Sequence, residues 1–566
     1  MPTLSRALSQ QTPAQDQASP SRPVLFPLPA IVIMTTAFAV TVPFFFYGNA
    51  SGHDFEFHLL SWMEVVHQWT EGSLWPRWAE FAHWGYGEAR FLFYPPASWN
   101  LGAVLGVFLP WKMASGAYVW VALTVSGCSM FLLARRWLSR RDAIFAAALY
   151  AANPYYLVIV YWRSALAELL AGCLLPLLLL FVLRAEEDGR RVIVPLSLIV
   201  AAAWLTNAPS AVMVNYSLAL LIVIAAIVHR KPVFLLYGGA AVVLGAGLAS
   251  LYVIPAAYEE KWVNIAQVLA PGLRPQDNFF FTFSNDADHN RFNIVVSVIG
   301  IGEIAVLGAA IFVARSWRKE HRTIWWLLAA WGGAATLLMS PLTLICWRYL
   351  PELRFVQLPW RWLLCLNVAF ALFVTMGFRR WLTRILICAA LLSLVVIVWH
   401  RVQPPWWDTA ADIQEMHDFI EDGDGYEGTD EYVPADVDPY ELKKDAPQIA
   451  TVSGDPAIVH IERWSAQNKL FSAKVLRPEK LRLRLLNYPA WSVEVNGHEI
   501  TAGTEPVTGE ILIPVDPGSN RVRVTFVQTQ DRLLGNVVSA ATLLLEIVWS
   551  VYCRVQEQHS SRKLPA

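Results

Sequence analysis

The fold is decided by residues 31–69, IVIMTTAFAVTVPFFFYGNASGHDFEFHLLSWMEVVHQW. An apolar run ends at Tyr47, and the chain then brings His53, Asp54, Glu56 and His58 close together in sequence. Apolar runs of about 18 residues or more are typical of helices that cross a membrane. The stretch therefore predicts a membrane helix that delivers two carboxylates and two imidazoles to its exit.

The composition extends this prediction to the whole chain. Of 566 residues, 55% are hydrophobic and only 16% are charged, and the apolar residues occur in blocks. Soluble proteins carry about a quarter charged residues. We therefore predict a polytopic all-α membrane protein whose first partner is the lipid bilayer. The net charge of −1 gives no information on nucleic-acid binding, and no basic tract suggests it, so we expect no nucleic-acid partner.

Basic clusters set the predicted topology, because short loops rich in Lys and Arg stay in the cytoplasm. The five clusters are residues 135–142, 184–191, 229–232, 315–322 and 378–384. About twelve spans with both termini in the cytoplasm place every cluster on the inner side. The predicted spans are about 24–47, 115–136, 142–160, 164–184, 191–206, 209–228, 232–256, 293–314, 323–341, 358–377, 381–399 and 533–552.

The apolar segment 99–111 is excluded from this count. Its 13 residues are too few for a crossing, so it is predicted to be re-entrant or interfacial.

The same topology divides the chain into domains. The polar residues 1–23 are predicted to be a disordered cytoplasmic tail. The transmembrane domain is 24–399, with a first outer loop at 48–114. Residues 400–531 form an extracytoplasmic region, and 532–566 contain the last helix and a cytoplasmic tail. The protein is thus predicted to be a multi-pass protein of the bacterial cytoplasmic (inner) membrane, with its soluble region outside.

Alternating sequence predicts a small β-sandwich from about residue 450. Four short runs alternate apolar and polar residues, and Asn496-Gly497 separates two of them, which is typical of a tight hairpin. The aromatic residues Trp464, Tyr488 and Trp491 have two interpretations. They fill the sandwich core or dock it on the membrane, which strand aromatics commonly do, or they are exposed and stack on sugars.

The first outer loop is predicted to begin with an amphipathic helix at the membrane surface. Its apolar stripe has helical spacing. The stripe contains Phe55, Leu59, Trp62, Met63, Val66 and Trp69. Asp54, His58 and Ser61 fall on the opposite face, toward a cavity in the protein. A structural alternative for Asp54 is a capping box that starts at Ser51.

The sequence offers little support for a metal or a disulfide. Two imidazoles and two carboxylates are enough ligands for a metal ion, but their spacing matches no known ligand pattern. The six cysteines lie in or beside apolar blocks, without a CxxC motif. We therefore expect no metal site and no cofactor, with a divalent metal left open as an alternative.

Several motifs resemble known membrane proteins over nearly the whole chain. The first span, the acid-bearing outer loop and the Tyr-Pro-Pro step at 94–96 resemble the GT-C superfamily of glycosyltransferases. More narrowly, the sequence resembles a bacterial family labelled "6-pyruvoyl-tetrahydropterin synthase-related, membrane protein". The motifs that carry this resemblance are DFEFHL (54–59), GYGEARFLFYPP (85–96), NPYYLVIVYWRSALAELLA (153–171), LRFVQLPWRWL (353–363) and NYPAWSVEVNG (487–497). The pterin part of the label has no support here, because the sequence shows no three-histidine zinc pattern.

The GT-C resemblance implies a catalytic acid in the first outer loop. It falls on Asp54 as general base, with Glu56 as the adjacent candidate, and His58 one helical turn on would orient the acid or its substrate. Because the spacing is Asp-x-Glu, both acids stay candidates.

The resemblance also implies cations that hold a lipid phosphate, which arginine binds through its planar fork. Arg163, Arg354 and Arg361 lie at predicted outer span ends, and Tyr94 joins them as a substrate-binding candidate. The alternative for each arginine is an interfacial anchor or an ion pair with Glu168 or Glu352.

Together these features predict an enzyme that transfers a sugar from a polyprenyl-phosphate-linked donor to a cell-envelope acceptor on the outer face. Two other classes stay open. A transporter or flippase of a lipid-linked glycan suits twelve spans, although the sequence shows no matching Gly/Pro-broken helices in two halves. A non-catalytic assembly protein would use the sandwich to hold an envelope partner.

The predicted topology can be tested directly. A reporter fused after Lys444 should behave as extracytoplasmic, and one fused at Ala566 as cytoplasmic, because the basic clusters hold the connecting loops inside. Paired alkaline phosphatase and fluorescent protein fusions measure this. The opposite activity at either position would contradict the twelve-span arrangement.

Overall fold

The computed structural model describes residues 27–561, with side chains for 28–556, so the predicted tail at 1–23 lies outside the described residues. The helices up to residue 163 are α1 (Pro27–Thr41), α2 (Phe44–Tyr47), α3 (Phe55–Thr70), α4 (Ala82–Gly85), α5 (Arg90–Phe93), α6 (Pro96–Phe108), α7 (Trp111–Ala134), α8 (Arg140–Ala151) and α9 (Pro154–Val158), followed by a π-helix, Ile159–Arg163.

The remaining helices complete the bundle and precede or follow a β-rich region. They are α10 (Leu166–Ala171), α11 (Leu174–Asp188), α12 (Ile193–Thr206), α13 (Ala208–His229), α14 (Val233–Leu248), α15 (Ser250–Glu259), α16 (Ala287–Val313), α17 (Trp317–Glu320), α18 (Arg322–Leu338), α19 (Leu344–Tyr349), α20 (Leu363–Gly377), α21 (Trp381–Arg401), α22 (Ala410–Glu421) and α23 (Gln530–Ser561).

The described residues contain nine helices that are long and apolar enough to cross a membrane, or up to eleven if each of two bent pairs is one span. The bent pairs are Val233–Leu248 with Ser250–Trp262, at 74°, and Arg322–Leu338 with Pro341–Tyr349, at 89°. The difference from the predicted twelve lies in one long segment, Leu166–Thr206. Its 41 residues are about twice what one crossing of the hydrocarbon core requires.

The contacts of this segment show that the chain reverses within it. Arg190 bonds Gln556, and seven residues later Ser197 bonds Glu546, ten residues earlier in α23. α12 therefore runs antiparallel to α23. Because α23 ends at the same face as α11, the short 3₁₀ turn Gly189–Val192 separates two crossings. With this segment counted as two crossings and each bent pair as one span, the described residues give twelve, the predicted number.

The five basic clusters lie together at one face of the bundle. Ion pairs join Arg136 to Glu187, Arg384 to Asp142 at 2.7 Å and Lys231 to Glu186 at 3.4 Å, and Arg379 lies over the Trp317 ring. The span Arg140–Arg163 starts at this face and, at about 1.5 Å per residue, ends at the other. Arg163 therefore marks the face opposite the clusters.

The helix predicted to lie at the membrane surface is instead enclosed by protein. Ten of the 16 residues of α3 are buried, including Ser61 and Glu64 on its polar side. α6, which contains most of the apolar segment 99–111, packs so closely that a Cβ at Gly102 would meet the Trp62 ring at 2.0 Å. α3 is thus an interior helix, because the rest of the first loop and α6 cover it where lipid was expected.

The β-sandwich before the last helix is confirmed. Its strands are β3 (Ile449–Thr451), β4 (Ile458–Ser465), β5 (Asn468–Val475), β6 (Glu479–Leu486), β7 (Trp491–Val495), β8 (His498–Ile500), β9 (Gly503–Thr504), β10 (Glu510–Val515) and β11 (Gly518–Phe526). They form two antiparallel sheets, of order β3-β6-β10-β9 and β4-β5-β11-β7-β8. Two further strands, β1 (Asn49–Ala50) and β2 (Trp407–Asp408), pair near the bundle.

The predicted hairpin and core of the sandwich are also present. Asn496 and Gly497 both have positive φ, at 52° and 82°, and Val495 pairs with His498 across the turn. Two consecutive positive φ angles are what a two-residue hairpin turn requires, which explains the Asn-Gly pair. Tyr488 and Trp491 are buried, and Trp464 is half-buried against the same cluster, so all three pack on the sandwich core.

The sandwich docks on the bundle through side chains from both. Trp78 of the first loop is fully buried against the rings of Trp491 and Phe526. At the membrane end, Arg532 of α23 makes two hydrogen bonds to Glu259, at 2.6 and 2.8 Å. The Tyr488 hydroxyl donates to the same carboxylate at 2.6 Å. The first loop and the sandwich therefore lie at the same face as Arg163.

This buried clamp should contribute strongly to stability. Arg532→Met leaves the Glu259 carboxylate buried without its cation, which typically costs about 3–5 kcal/mol. We expect a marked drop in the melting temperature of the full-length protein in detergent, and faster proteolysis of the sandwich. The matched control is Arg477→Met, which breaks a solvent-exposed pair with Asp455 and should cost under about 1 kcal/mol. Equal melting of the two variants would contradict the docking role.

Candidate functional site

The exit of the first span is held in place by a distant part of the chain. β1 pairs with β2, so that Asn49 lies opposite Asp408 and Ala50 opposite Trp407. Gly48, with φ of 100°, approaches the Asp408 carbonyl so closely that a Cβ would meet its oxygen at 2.3 Å. The chain that leaves the membrane at Tyr47 therefore starts from a fixed position.

The next residues are fixed against the end of another membrane segment. The Asp54 amide donates to the Arg163 carbonyl at 2.8 Å, and the Gly52 amide donates to the Ser164 hydroxyl at 2.9 Å. A Cβ at Gly52 would lie 2.6 Å from the backbone of Trp162 and Arg163, so only glycine fits there. Backbone contacts thus bring Asp54 and Arg163 together before their side chains contribute anything.

The segment that presents Arg163 has unusual backbone geometry. Residues Ile159–Arg163 form a π-helix, and Ser164 follows with a left-handed φ of 51°. π-helical turns are rare and occur frequently at functional sites, and a left-handed φ is strained for a residue with a side chain. The strain turns the chain sharply between two crossings and places Arg163 at the turn.

The Asp54 side chain is free to act on a ligand. Asp54 occupies the N-cap position of α3, yet its carboxylate makes no capping hydrogen bond, so the predicted capping box is not formed. The side chain is 43% exposed, and its Oδ2 lies 4.0 Å from Nη2 of Arg163. That separation is longer than a hydrogen bond. The carboxylate is therefore near a cation without being locked to it.

Glu168 joins the two arginines behind Asp54. Its Oε2 lies 2.5 Å from Nη1 of Arg163 and 3.2 Å from Nε of Arg361. The Tyr155 hydroxyl donates to Oε1 at 2.6 Å. All three charged side chains are buried. One carboxylate therefore compensates two guanidinium groups at the end of the membrane helices, the pairing with Glu168 that the sequence left open as an alternative.

The second arginine is held by its own loop as well. Arg361 donates from Nη1 to the Val356 carbonyl at 2.9 Å and to the Gln357 side chain at 3.0 Å. The Arg163 guanidinium lies over the ring of Trp360, 4.8 Å from its centre. Each guanidinium has five N–H donors, so both keep donors for a further anion.

Arg354 lies apart from this group. Its side chain is exposed and lies over the ring of Phe355, 4.8 Å from its centre. Of the three predicted phosphate ligands, the structure brings Arg163 and Arg361 together with Asp54 and leaves Arg354 outside.

His58 and Tyr94 lie behind Asp54 in the protein. Their rings are 5.7 Å apart, and Nε2 of the buried His58 has no hydrogen-bond partner among the described residues. Burial lowers the pKa of His58 to about 4, so the ring is neutral at neutral pH. Burial and then the Asp54 charge raise the pKa of Tyr94 well above its usual value. Tyr94 therefore keeps its proton and acts only as a neutral hydroxyl.

Glu56 has charged neighbours that differ from those of Asp54. Partial burial, and then the carboxylates of Asp408 and Glu427, raise the pKa of Glu56. Glu56 is accessible to solvent and lies in an acidic environment, whereas Asp54 stands beside Arg163. The two acids of the Asp-x-Glu motif thus have opposite electrostatic surroundings.

A second buried cluster fixes α3 from its polar side. Arg90 pairs with Glu88 at 2.5 Å and donates to the Ser61 hydroxyl at 3.0 Å, and Tyr426 donates to Glu64 at 2.6 Å. Burial alone would raise the pKa of Glu88, but Arg90, His83 and the Thr429 amide together lower that pKa to about 2. Ser61 therefore belongs to a structural cluster and not to a cavity beside Asp54.

No group of three or more His, Cys, Asp or Glu side chains that could hold a metal ion occurs within the described part of the chain. Metal dependence stays a question for experiment.

Sequence reasoning did not single out several residues of the site. Tyr155 and Trp360 lie within the motifs at 153–171 and 353–363. As aromatic residues in apolar runs, they resemble residues that only pack in the core. Trp406 and Asp408 are brought near Asp54 by the β1–β2 pair, whose strands are two residues each, and by the contact of the Trp406 ring with His53. The sequence contains one signal for these contacts, the glycines Gly48 and Gly52. They flank the turn in which other backbone segments approach closely.

Solved structures with related folds show only distant likeness. The crystal structure of ArnT from Cupriavidus metallidurans bound to undecaprenyl phosphate is 13% identical, with a TM-score of 0.44, and the match covers 66% of this chain and 64% of that chain. Arabinofuranosyltransferase AftD from Mycobacteria is 17% identical, with a TM-score of 0.40, over 67% of this chain and 28% of that one.

The oligosaccharyltransferase of Archaeoglobus fulgidus in its apo form is 12% identical, with a TM-score of 0.37, over 71% of this chain and 56% of that one. This chain spans less than two thirds of the length of each of the three. All three TM-scores lie below 0.5, so the likenesses do not extend to substrate or reaction.

Comparison with families gives a firmer result. No curated protein matches the sequence. A family model described as "6-pyruvoyl-tetrahydropterin synthase related domain; membrane protein" matches residues 91–403, which is more than half of the chain. The narrower of the two resemblances is therefore confirmed, and the chain belongs to the 6-pyruvoyl-tetrahydropterin synthase related membrane protein family.

Proposed function

We propose that this protein is a membrane glycosyltransferase that moves a sugar from a polyprenyl-phosphate-linked donor to a cell-envelope acceptor at the outer face of the inner membrane. The observation that carries the proposal is the accessible Asp54 carboxylate, 4.0 Å from the buried Arg163 guanidinium at the end of a membrane span. A general base beside a phosphate-binding cation is what transfer from a lipid phosphate requires.

The arginine pair is suited to a lipid phosphate. Arg163 and Arg361 are buried at the end of membrane helices, where the headgroup of a bilayer lipid lies. Guanidinium groups bind phosphate oxygens through two parallel N–H bonds. Glu168 holds both groups, so they need little reorganisation when a phosphate arrives.

The reaction balances with these residues. The acceptor hydroxyl oxygen forms a bond to the anomeric carbon while the bond from that carbon to the phosphate oxygen breaks. The hydroxyl proton goes to the Asp54 carboxylate, and the lipid phosphate leaves with the bonding electrons, held by Arg163 and Arg361. A single displacement of this kind inverts the configuration at the anomeric carbon.

The charges of the site couple proton transfer to Asp54 with departure of the lipid phosphate. The carboxylates of Asp54 and Glu168 and the guanidinium groups of Arg163 and Arg361 sum to zero. When Asp54 accepts the proton, the four groups together become positive by one charge. That charge appears as negative charge develops on the leaving phosphate, so proton transfer strengthens the hold on the leaving group.

The other candidates are given supporting roles. His58 is neutral, so it orients Asp54 or a substrate only through a hydrogen bond. Tyr94 offers a protonated hydroxyl beside Asp54. Glu56 is the second candidate base. We expect the reaction to proceed without a cofactor, and transfer activity in EDTA, with and without added Mg²⁺ or Mn²⁺, tests whether a divalent metal takes part.

The role of Asp54 is tested by Asp54→Asn in the full-length protein. We expect transfer to fall by roughly 100-fold or more, because the amide cannot accept the proton. The melting temperature should stay near that of the wild type, since the Asp54 carboxylate caps no helix. Transfer of radiolabelled sugar from synthetic polyprenyl-phosphate donors measures the activity.

Glu56→Gln is the comparison variant in the same turn. We expect it to lose much less transfer than Asp54→Asn, because the amide keeps the shape and hydrogen bonding of the Glu56 side chain. Loss of activity in Glu56→Gln with near wild-type activity in Asp54→Asn would move the base to Glu56. Wild-type protein that transfers no sugar from any polyprenyl-phosphate donor would overturn the proposed function.

The charge balance is tested by Glu168→Gln. Two buried guanidinium groups would then share only Asp54, and removing one partner of a buried ionic group typically costs about 3–5 kcal/mol. We expect a lower melting temperature together with reduced transfer. Glu187→Gln, which breaks an exposed pair with Arg136 at the other face, should cost less than about 1 kcal/mol. Unchanged melting of Glu168→Gln would show that the arginines are not balanced by this carboxylate.

A further inference from the structure

Trp406 and Trp407 are neighbours in sequence with opposite surroundings. The Trp407 ring packs inward against four aromatic rings, those of Phe44, Tyr47, Tyr161 and Trp399. Trp406 is 44% exposed, and its one ring contact among the described residues is with His53, at 5.5 Å. Packing therefore explains Trp407 and leaves Trp406 without a structural role of its own.

The backbone places Trp406 at the edge of the Asp54 site. The Ser51 amide donates to the Trp406 carbonyl at 3.0 Å, next to the β1–β2 pair. The His53 ring lies between Trp406 and Phe292, whose centre is 4.8 Å away. Since His53 directly precedes Asp54, the exposed indole and the candidate base belong to one surface.

The surface around Trp406 is acidic. Asp408 follows two residues later and accepts a hydrogen bond from the Ser51 side chain. Glu56 interacts electrostatically with both Asp408 and Glu427. The exposed indole therefore has two carboxylates, those of Asp408 and Glu56, in its surroundings. Trp406 is also linked to the arginine group, because Phe292 packs on Trp360, over which Arg163 lies.

An exposed aromatic ring beside carboxylates is suited to a sugar. The C–H face of a sugar ring is apolar and packs on an indole, while its hydroxyl groups donate to carboxylate oxygens. An anionic donor phosphate is attracted to the arginine side and repelled by Asp408 and Glu56. These two carboxylates therefore favour an uncharged group at the indole, and we assign that position to the group whose hydroxyl Asp54 deprotonates.

We propose that Trp406, with Asp408 and Glu56, forms the acceptor subsite, and that it takes an uncharged glycosyl ring in preference to an anionic one. The acceptor role of this subsite rests on the proposed function, whereas binding of a sugar at Trp406 does not require transfer. It names a class of acceptor: neutral sugars, not uronic acids or phosphorylated sugars.

Binding can be measured without any donor. The full-length protein in a detergent without a sugar headgroup is examined by saturation-transfer NMR with methyl glycosides of glucose, galactose and mannose, and with methyl glucuronide as the anionic probe. We expect at least one neutral glycoside to bind and methyl glucuronide to bind more weakly. Trp406→Leu should weaken the neutral glycoside about fivefold, the loss of ~1 kcal/mol of ring stacking. The affinity of Trp406→Phe for the neutral glycoside should lie between those of the wild type and Trp406→Leu.

Two further variants make the test specific. Trp75→Leu removes another exposed tryptophan of the same face, 40% exposed, and should leave glycoside binding unchanged. Asp408→Asn keeps the shape of the side chain but removes its charge. It should therefore reduce the difference in affinity between methyl glucuronide and the neutral glycosides. The proposal is overturned if no glycoside binds, if Trp406→Leu binds as well as the wild type, or if methyl glucuronide binds as tightly as its neutral counterpart.

The outcome for the subsite is independent of the outcome for the reaction. Asp54→Asn should lose transfer and keep Trp406-dependent glycoside binding. A wild-type protein that binds glycosides through Trp406 but transfers no sugar would overturn the transferase and leave the subsite standing. A protein that transfers sugar with equal efficiency in wild type and Trp406→Leu, with no change in acceptor KM, would overturn the subsite and leave the transferase standing.

Discussion

A single buried carboxylate, Glu168, makes the rest of the site feasible. Two guanidinium groups at the end of membrane helices need a counter-charge, because an uncompensated charge at that depth costs several kcal/mol. Glu168 contacts both Arg163 and Arg361 and leaves their remaining donors available. Asp54 does not have to supply this compensation, which is why its carboxylate stays 4.0 Å from Arg163 and exposed to solvent.

Backbone geometry then fixes how Asp54 and Arg163 meet. The turn after the first span is bonded to the turn at Ser164, and close approaches at Gly48 and Gly52 leave no room for a side chain. The π-helix before Arg163 adds a second constrained turn. Asp54 and Arg163 are therefore carried by rigid junctions between crossings, and the sandwich and first loop cover that face through Trp78 and the Glu259–Arg532 clamp.

The sequence predicts the architecture more fully than the site. Hydrophobic length and basic clusters are strong signals, so the crossings and the shared face of the clusters follow from them, and Asn496-Gly497 with alternating strands gives the sandwich. The apolar stripe of α3 shows only that one side is buried, since the same spacing suits lipid and protein; the contact with α6 decides it. Asp54 and Arg163 follow from the resemblance. Trp406 does not, because two-residue strands leave no periodicity to detect.

The β1–β2 pair also has a consequence for the order of assembly. It joins residues near position 50 to residues near position 407, so about 350 residues must enter the membrane before this surface can close. Asp54 can meet Arg163 after only the third crossing has been inserted, whereas the acidic, tryptophan-bearing side is completed eight crossings later. A chain still emerging from the ribosome would therefore hold its charged pair early and its proposed sugar-binding surface late, so that the newly made protein has a complete site only when nearly all of its helices are in place.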